Sequence, residues 1–359
     1  MPLGDGNYIF FTVSHGEIWF TRRALDGTWV PVVHEQNPQL PGEAAAQAIS
    51  TRGIFELQHL AVVADGGELW HSLWNSQGQA TAFGDVQATA AGRVGGFMDV
   101  DASHGPSGEL FVVACTVDGK LWDTTRDPNG TWRPFEDMKA LANPTNIVGN
   151  VRNISCTTEE PSGGSGHAFH VVALTEDYHL FHSRYINSST FSTFLDIEST
   201  AAGEAGNFTD VSCAWDGSCL HVCAVTGGTL RHTMMLPDMT WTPFVDVKTL
   251  ARTPDPGVIE KVACGVPGTP PAPGPVTTGC NLLLAAPVVV ARRVSRRRRS
   301  DPINAAAPTP LEVVVLTSAR QAWYVERGSD GTWTTFMDIE ATAAGTLGTF
   351  GARPFYVAL

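Results

Sequence analysis

One short phrase recurs along the chain and sets the spacing of the whole sequence. It reads Asp-Gly-Thr-Trp or a near copy, and in five of the six copies a phenylalanine follows three residues after the tryptophan position. In register, the tryptophan position holds Trp29, Ala80, Trp132, Phe191, Trp241 and Trp333. The steps between these anchors are 51, 52, 59, 50 and 92 residues. A period near 50 residues indicates a repeat architecture.

Each repeat carries the signals of four short strands. The sequence 67–72 (Gly-Glu-Leu-Trp-His-Ser) has a counterpart in every unit, upstream of the anchor. An apolar run such as 110–115 precedes it, and a further strand such as 97–100 comes before that. These runs are rich in β-branched and aromatic residues and are separated by Gly, Asp, Asn and Pro. We therefore predict an all-β chain, a β-propeller of four-stranded antiparallel blades.

The blade count depends on the 92-residue step. It equals one ordinary unit plus a Pro/Ala/Arg-rich insertion at about 266–310, or two unusually short units. No further copy of the phrase lies in it, so we predict six blades, with seven as the alternative. Residues 348–350 match the start of an innermost strand, whereas the N-terminus opens on a second strand. Strands from both termini would then close one blade of a single domain, 1–359.

The recurring phrase predicts a local structure as well as a count. Asp-Gly or Asn-Gly tolerates the positive φ of a tight turn, so the tryptophan would start the outermost strand. The tryptophan and phenylalanine are three residues apart and would face opposite sides of a regular strand. Carboxylates follow in register at Asp85, Asp137, Asp196, Asp246 and Asp338. Their recurrence favours a turn-capping role over catalysis.

Composition limits the partners. The 359 residues carry a net charge of −13, which disfavours a general grip on nucleic acid or anionic lipid. The longest apolar run is too short to span a bilayer, and no signal peptide is recognisable. We expect a soluble protein that is not membrane-embedded, either cytoplasmic or released by a non-classical route, and possibly a homo-oligomer.

The seven cysteines do not form a disulfide framework. Cys156, Cys213 and Cys264 follow strand-like runs at equivalent places, which favours small buried side chains. A hairpin disulfide between Cys213 and Cys219 is an open alternative.

The repeats resemble those of bacterial and fungal propeller lectins. The sequences 67–72, 119–124 and 241–247 carry the likeness, which is nearest to the Photorhabdus lectin family and extends to the tectonins and the Aleuria-type fucose lectins. The resemblance implies a non-catalytic, multivalent sugar binder that recognises glycans on cell surfaces or glycoconjugates. It also implies pockets between adjacent blades that favour fucose or O-methylated sugars, and sites that use a tryptophan, an arginine and a carboxylate or amide.

A sugar is held by a flat aromatic ring and a few fixed polar groups, and the third strands offer such sets. The candidate carbohydrate-binding residues are Trp19, Arg22, Trp70, His71, Trp122, Arg126, His182, Arg184, Trp323 and Arg327. The alternative is that the tryptophans belong to the core between blades, and that the histidines satisfy the neighbouring blade. No four-ligand metal cluster stands out, and we expect no metal or other cofactor.

Two other functions remain open. A protein-binding scaffold would fill the grooves between blades with side chains. A glycosidase or sialidase would show one deep, carboxylate-lined pocket at the central channel. The arginine run 292–299 is compatible with binding to an anionic glycan, with proteolysis, or with a solvated loop.

Overall fold

The computed structural model describes residues 8–14, 17–23, 28–29, 33–34, 44–52, 58–74, 80–90, 92, 94–105, 108–142, 148–159, 168–186, 190–201, 206–266 and 310–343. These residues form antiparallel sheets: one of three strands and five of four or five strands. No helix among them is long and apolar enough to cross a membrane. The predicted all-β class with four-stranded antiparallel sheets is confirmed.

Each sheet consists of consecutive strands. Sheet 1 contains β1 (Tyr8–Ser14), β2 (Glu17–Arg23) and β3 (Val33–His34). Sheet 2 contains β4 (Ala44–Arg52), β5 (Gln58–Ala64), β6 (Leu69–Trp74) and β7 (Gly84–Asp85). Sheet 3 contains β8 (Phe97–His104), β9 (Leu110–Thr116), β10 (Leu121–Arg126) and β11 (Glu136–Asp137).

The later sheets repeat the arrangement. Sheet 4 contains β12 (Val151–Glu159), β13 (Ala168–Thr175), β14 (Leu180–Ile186), β15 (Thr190–Phe191) and β16 (Leu195–Asp196). Sheet 5 contains β17 (Phe208–Trp215), β18 (Leu220–Thr226), β19 (Thr229–Met235) and β20 (Val245–Asp246). Sheet 6 contains β21 (Ile259–Gly265), β22 (Leu311–Thr317), β23 (Ala322–Arg327) and β24 (Met337–Asp338).

A one-turn helix follows the last strand of sheets 2 to 6, an element that the sequence did not predict. The helices are α1 (Val86–Thr89), α2 (Met138–Ala142), α3 (Ile197–Ala201), α4 (Val247–Ala251) and α5 (Ile339–Ala343). The recurring aspartate precedes each one, and its carboxylate accepts a hydrogen bond from the backbone N–H three residues on, as Asp85 does from Ala88 at 2.9 Å. The predicted capping role of these aspartates is confirmed.

Apolar clusters lie between successive sheets, and they correct one prediction. Trp132 and Phe135 both pack against the cluster shared by sheets 2 and 3. Trp241 and Phe244 both belong to the cluster shared by sheets 4 and 5. The prediction that tryptophan and phenylalanine face opposite sides was therefore wrong. The tryptophan forms an isolated bridge, and the strand resumes only after the phenylalanine, so regular alternation does not apply between them.

The first strands β4, β8, β12, β17 and β21 contact one another in chain order. Polar side chains join them: Asp99 Oδ2 accepts from the backbone N–H of Ile154 at 2.8 Å, and Asn153 Oδ1 accepts from that of Val211 at 3.2 Å. Asp210 Oδ2 accepts from the N–H of Val262 at 2.8 Å. Each of these bonds ties one sheet to the next, and so fixes the spacing at which pockets between sheets are built.

Aromatic contacts recur at the outer side of the same interfaces. His71 meets Trp132, His182 meets Trp241 and His232 meets Trp333, each with the ring planes close to perpendicular. Tyr324 of sheet 6, at the position of these histidines, meets Trp29 with centroids 5.9 Å apart. Sheet 6 therefore contacts the segment that follows β2 of sheet 1.

Several predictions fall on other parts of the chain. The C-terminal strand at 348–350 and the arginine run lie outside the described residues, as does most of the insertion, whose ends adjoin β21 and β22. Blade number, closure by both termini and the single-domain boundary stay predictions. Cys156, Cys213 and Cys264 are free and buried, which confirms their small buried role. Cys219 is also free, so no disulfide joins it to Cys213.

Candidate functional site

A pocket of about 300 Å³ opens between sheets 4 and 5, and we call it the 4/5 pocket. That volume is near the lower end of the range typical of small-molecule sites. Two lining residues come from sheet 4 and the others from sheet 5 and its turns. The lining residues are Glu159, Arg184, Trp215, Gly217, Ser218, Met235, Leu236, Pro237 and Met239.

The sheet 4 wall is an ion pair. Glu159 ends β12, Arg184 lies on β14, and Arg184 Nη2 donates to Glu159 Oε2 at 2.5 Å. Ser192 Oγ accepts from the Arg184 backbone N–H at 2.9 Å and anchors the strand at this point. The two side chains are 25% and 27% exposed, so the pair is held by the protein yet reachable from solvent. Such a pair offers both acceptors and donors to a ligand.

The charges of this wall are set by its neighbours. A hydrogen-bonding contact from His170 lowers the pKa of Glu159, partial burial opposes that shift, and the Arg184 guanidinium adds to it. Glu159 is therefore a carboxylate at neutral pH. Arg184 Nε is buried and has no hydrogen-bond partner among the described residues. A buried donor of this kind gains from a ligand acceptor.

The sheet 5 wall is largely apolar. Trp215 ends β17 and is half-buried, and Met235, Leu236 and Met239 continue the surface past β19. Met239 has a φ of +68°, whereas the equivalent turns in sheets 3 and 6 have glycine, Gly130 and Gly331, at their positive φ. A non-glycine residue in this conformation is disfavoured, and here it puts a flexible apolar side chain at the rim. The pocket thus has one charged wall and one apolar wall.

The predicted tryptophans lie elsewhere. Trp122 and Trp323 are half-buried and pack against the clusters between sheets 2 and 3 and between sheets 5 and 6. Trp70 is half-buried on β6. Trp19 and Arg22 are described as backbone positions of β2, where they pair with Thr12 and Ile9 of β1. None of these four tryptophans lines the 4/5 pocket.

The predicted histidines lie beneath the surface. His71 and His182 are 7% and 3% exposed. His71 Nε2 is 2.9 Å from His59 Nδ1, and His182 Nε2 is 3.0 Å from His170 Nδ1. Both nitrogen contacts lie within one sheet, whereas the contacts of these rings with the next sheet are those to Trp132 and Trp241.

The predicted arginines lie on two different faces of their strands. Arg126 and Arg327 come four residues after the third-strand tryptophan, but Arg184 comes three residues after Phe181. Since side chains alternate, Arg184 faces the next sheet and the other two face the preceding one. Accordingly, Arg126 interacts electrostatically with His71 of sheet 2, and Arg327 with His232 of sheet 5. Of the ten predicted site residues, only Arg184 lines the 4/5 pocket.

Sequence reasoning missed Glu159, Trp215 and the methionine rim. One signal was available: the turn before Trp241 reads Asp-Met-Thr, whereas three other copies of the phrase have Asp-Gly-Thr or Asn-Gly-Thr. Glu159 and Trp215 gave no comparable signal, because each ends its own strand and the repeat does not predict that two strands from different units converge. Among the described residues, no three His, Cys, Asp or Glu side chains are arranged to hold a metal ion.

Neither the known protein-family profiles nor the curated proteins include a match to this chain. Solved structures do match. AofleA from Arthrobotrys oligospora is 10% identical, with 98% of this chain and 92% of that chain covered and a TM-score of 0.58. The BP39L lectin from Burkholderia pseudomallei is 12% identical, with 94% and 99% covered and a TM-score of 0.55.

The lectin of Aleuria aurantia matches as well. A variant in complex with α-methyl-L-fucoside is 11% identical, with 96% of this chain and 98% of that chain covered and a TM-score of 0.55. That lectin is described as a six-bladed β-propeller with a novel mode of fucose recognition. The chain shares the β-propeller fold of these structures, and its blade number stays a prediction. At such low identity the likeness is one of fold, and kinship with the Photorhabdus lectins and the tectonins stays a prediction.

Proposed function

We propose that the protein is a non-catalytic, carbohydrate-binding lectin that takes a sugar into the 4/5 pocket. The observation that carries the proposal is the solvent-reachable Glu159–Arg184 pair facing the Trp215 wall across a space of about 300 Å³. Sugars present hydroxyl groups on their edges and C–H groups on their faces. A site with one polar and one aromatic wall matches both.

The polar wall would bind adjacent hydroxyls. Glu159 accepts from one hydroxyl, and the Arg184 guanidinium donates to the oxygens of the same or the next one. Since the arginine is already paired, little side-chain freedom is lost on binding. The ring of Trp215 covers the C–H face. This arrangement orients the ligand without a bond-breaking step.

The apolar rim favours a sugar that carries a methyl group. Met235, Leu236 and Met239 offer an apolar surface beside the hydroxyl-binding pair. Burying one methyl group contributes about 0.8 kcal/mol. Fucose and O-methylated sugars are the proposed ligands, in line with the fucoside complex of the Aleuria aurantia lectin. The partners would be glycans on cell surfaces or glycoconjugates.

We further propose a six-bladed ring in which sheet 6 adjoins sheet 1. The Trp29–Tyr324 contact supports it, because the same register positions join sheets 2 and 3, 4 and 5, and 5 and 6. A ring offers several interfaces and hence multivalency. The double variant Trp122→Ala/Arg126→Ala tests whether the interface between sheets 2 and 3 contributes a second site. A sugar titration that counts bound ligands per chain, before and after that change, measures it.

A glycosidase is less well supported, because Glu159 is the only carboxylate among the described residues that line the pocket, and glycosidases use two. Two other carboxylates of the first strands are engaged in bonds between sheets. Asp99 and Asp101 are bonded to the backbone N–H groups of Ile154 and Cys156, and burial raises the pKa of Asp99 to about 8.

A glycan array followed by calorimetric titration tests the proposal. Wild-type protein should bind methyl-bearing sugars, and Glu159→Gln should lose most of that binding while its melting temperature stays near that of wild type. Chromogenic glycosides, assayed in parallel, should remain uncleaved. Absence of binding to every glycan at high protein concentration would overturn the lectin, and glycoside turnover would replace it with an enzyme.

A further inference from the structure

A buried histidine behind the 4/5 pocket touches both of its walls. His170 lies on β13 opposite Arg184 and is fully buried. Its Nε2 is 3.4 Å from Glu159 Oε2, a long contact, and that nitrogen has no other polar partner among the described residues. Its ring stacks on Trp215 with centroids 5.3 Å apart and planes 12° apart.

The proton on His170 can be placed from its surroundings. Burial lowers the pKa of His170, so the ring is neutral at neutral pH and carries one N–H. A carboxylate only accepts, so the proton belongs on Nε2, which faces Glu159. Nδ1 then accepts from His182 Nε2 at 3.0 Å, and His182 is held edge-to-face by Trp241 at 5.5 Å. A continuous chain of contacts thus runs from Trp241 of sheet 5 to the carboxylate of sheet 4.

We propose that His170 is a positioning residue that holds the Glu159 carboxylate and the Trp215 ring at the separation a sugar requires. The inference rests on the proposed sugar-binding function of the 4/5 pocket. Because both walls are already ordered before the ligand arrives, binding loses less conformational entropy.

Two other histidine pairs in the chain separate this role from simple packing. His59 with His71, and His221 with His232, repeat the His170–His182 geometry, each with a nitrogen separation of 2.9 Å. The ring of His59 meets His104, and His221 contacts Asp216 of its own turn. Among these three described pairs, only His170 lies between a carboxylate and a tryptophan that line a pocket.

His170→Phe is the direct test. Phe111 holds the same register position in sheet 3, so the fold already accepts phenylalanine there. The variant keeps a ring beneath Trp215 but loses the N–H facing Glu159. We expect about tenfold weaker binding of methyl α-fucoside, the size expected for a lost contact to a charged group. His59→Phe is the matched control, with a similar change in melting temperature and unchanged binding.

The pH profile gives a readout that packing alone would not move. Among the described residues, the titratable or charged groups that face Glu159 are His170 and Arg184, with His182 behind them, and the sheet 5 wall offers Trp215, Ser218 and Met235, which carry no charge. Loss of His170 removes the largest cause of the lowered Glu159 pKa, so that pKa rises. Binding should then fail at a higher pH on acidification in His170→Phe, but not in His59→Phe.

The outcomes distinguish the two proposals. If wild type binds, Glu159→Gln does not, and His170→Phe matches His59→Phe in affinity and pH profile, the positioning role is wrong and the lectin stands. If wild type binds no glycan, both fail. Should His170→Phe not fold, His170→Gln replaces it. Its amide can still donate to Glu159 but cannot stack on Trp215, so an affinity equal to wild type would also overturn the role.

Discussion

The interface between sheets 4 and 5 and the interface between sheets 5 and 6 use the same register positions with different side chains. Glu159, Arg184 and Trp215 at the first correspond to Asp216, Met234 and Val266 at the second. Val266 corresponds to Trp215 because each is the next residue after an equivalent strand pair: Gly265 pairs with Glu312, as Ala214 pairs with His221. The interface between sheets 5 and 6 also has an arginine, Arg327, but it lies on the sheet 6 wall. Its register position there is the one that Met235 holds on the sheet 5 wall of the 4/5 pocket.

The two carboxylates show how the difference arises. Glu159 is 25% exposed and faces a pocket. Asp216 is 3% exposed, and it accepts from the backbone N–H groups of Ser218 and Cys219 and contacts His221. A carboxylate whose oxygens already accept hydrogen bonds within its own turn has few acceptor positions left for a ligand. Extending the strand by one residue before the turn, as β12 does, frees the same position for binding.

The largest effect is expected from Arg184→Met, which introduces the sheet 5 residue at this position. Sugar binding should weaken by about 100-fold, because Glu159 would remain partly buried without its cation. Calorimetric titration measures it. Arg327→Met is the matched control at the 5/6 interface and should leave binding in the 4/5 pocket unchanged. Equal losses in both variants would contradict the assignment of the site to one interface.

Trp215→Val introduces the residue that sheet 6 has at this position. Loss of the aromatic wall should weaken binding by about 10- to 30-fold. Valine, like tryptophan, favours strands, and Trp215 is only half-buried, so the variant should stay folded with a modest fall in melting temperature. Trp215 also packs against the cluster between sheets 4 and 5, as Trp122 and Trp323 pack against theirs, and an unfolded variant would show that this packing is its main role.

Asp216→Asn tests the structural carboxylate of the 5/6 interface. Burial alone would raise the pKa of Asp216, but hydrogen bonds from His221, Cys219 and Ser218 outweigh it and lower the pKa to about 2. A lowered folded-state pKa stabilises the protein above the ordinary value near 4, and that stabilisation is lost as pH falls from about 4 to about 2. The variant should lose about 1–2 kcal/mol of unfolding free energy at neutral pH. Urea denaturation at both ends of this range should show the difference vanish near pH 2; a constant difference would contradict the charge-based explanation.

The smallest effects are expected from a change at Met239, which should raise stability and weaken binding. Met239→Gly places glycine where the equivalent turns already have it. Glycine adopts this positive φ without the steric cost that methionine carries, so the unfolding free energy should rise by about 1 kcal/mol. Loss of the apolar rim should weaken binding of a methyl-bearing sugar two- to fivefold, an estimate of about 0.4–1 kcal/mol from the apolar area removed. Tighter binding in this variant would exclude Met239 from the site.

Much of the fold could be predicted from the sequence, and little of the site could. The third-strand phrase located β6, β10, β14, β19 and β23, and the recurring aspartates marked the start of each short helix. The strand face of each arginine could also be predicted, because Arg126 comes four residues after its third-strand aromatic residue and Arg184 comes three. The convergence of Glu159 with Trp215 was not, because these residues end strands of different sheets 56 positions apart.

The amino-acid sequence by itself determined the unit of this protein: four strands, a capped turn and a period near 50 residues. These features depend on hydrogen bonds and side-chain alternation within a few residues of each other, so they can be predicted from one unit. Tertiary structure decided that the interface between sheets 4 and 5 forms a pocket. A pocket there needs the charged face of one sheet to meet the apolar face of the next, and that depends on the packing between units.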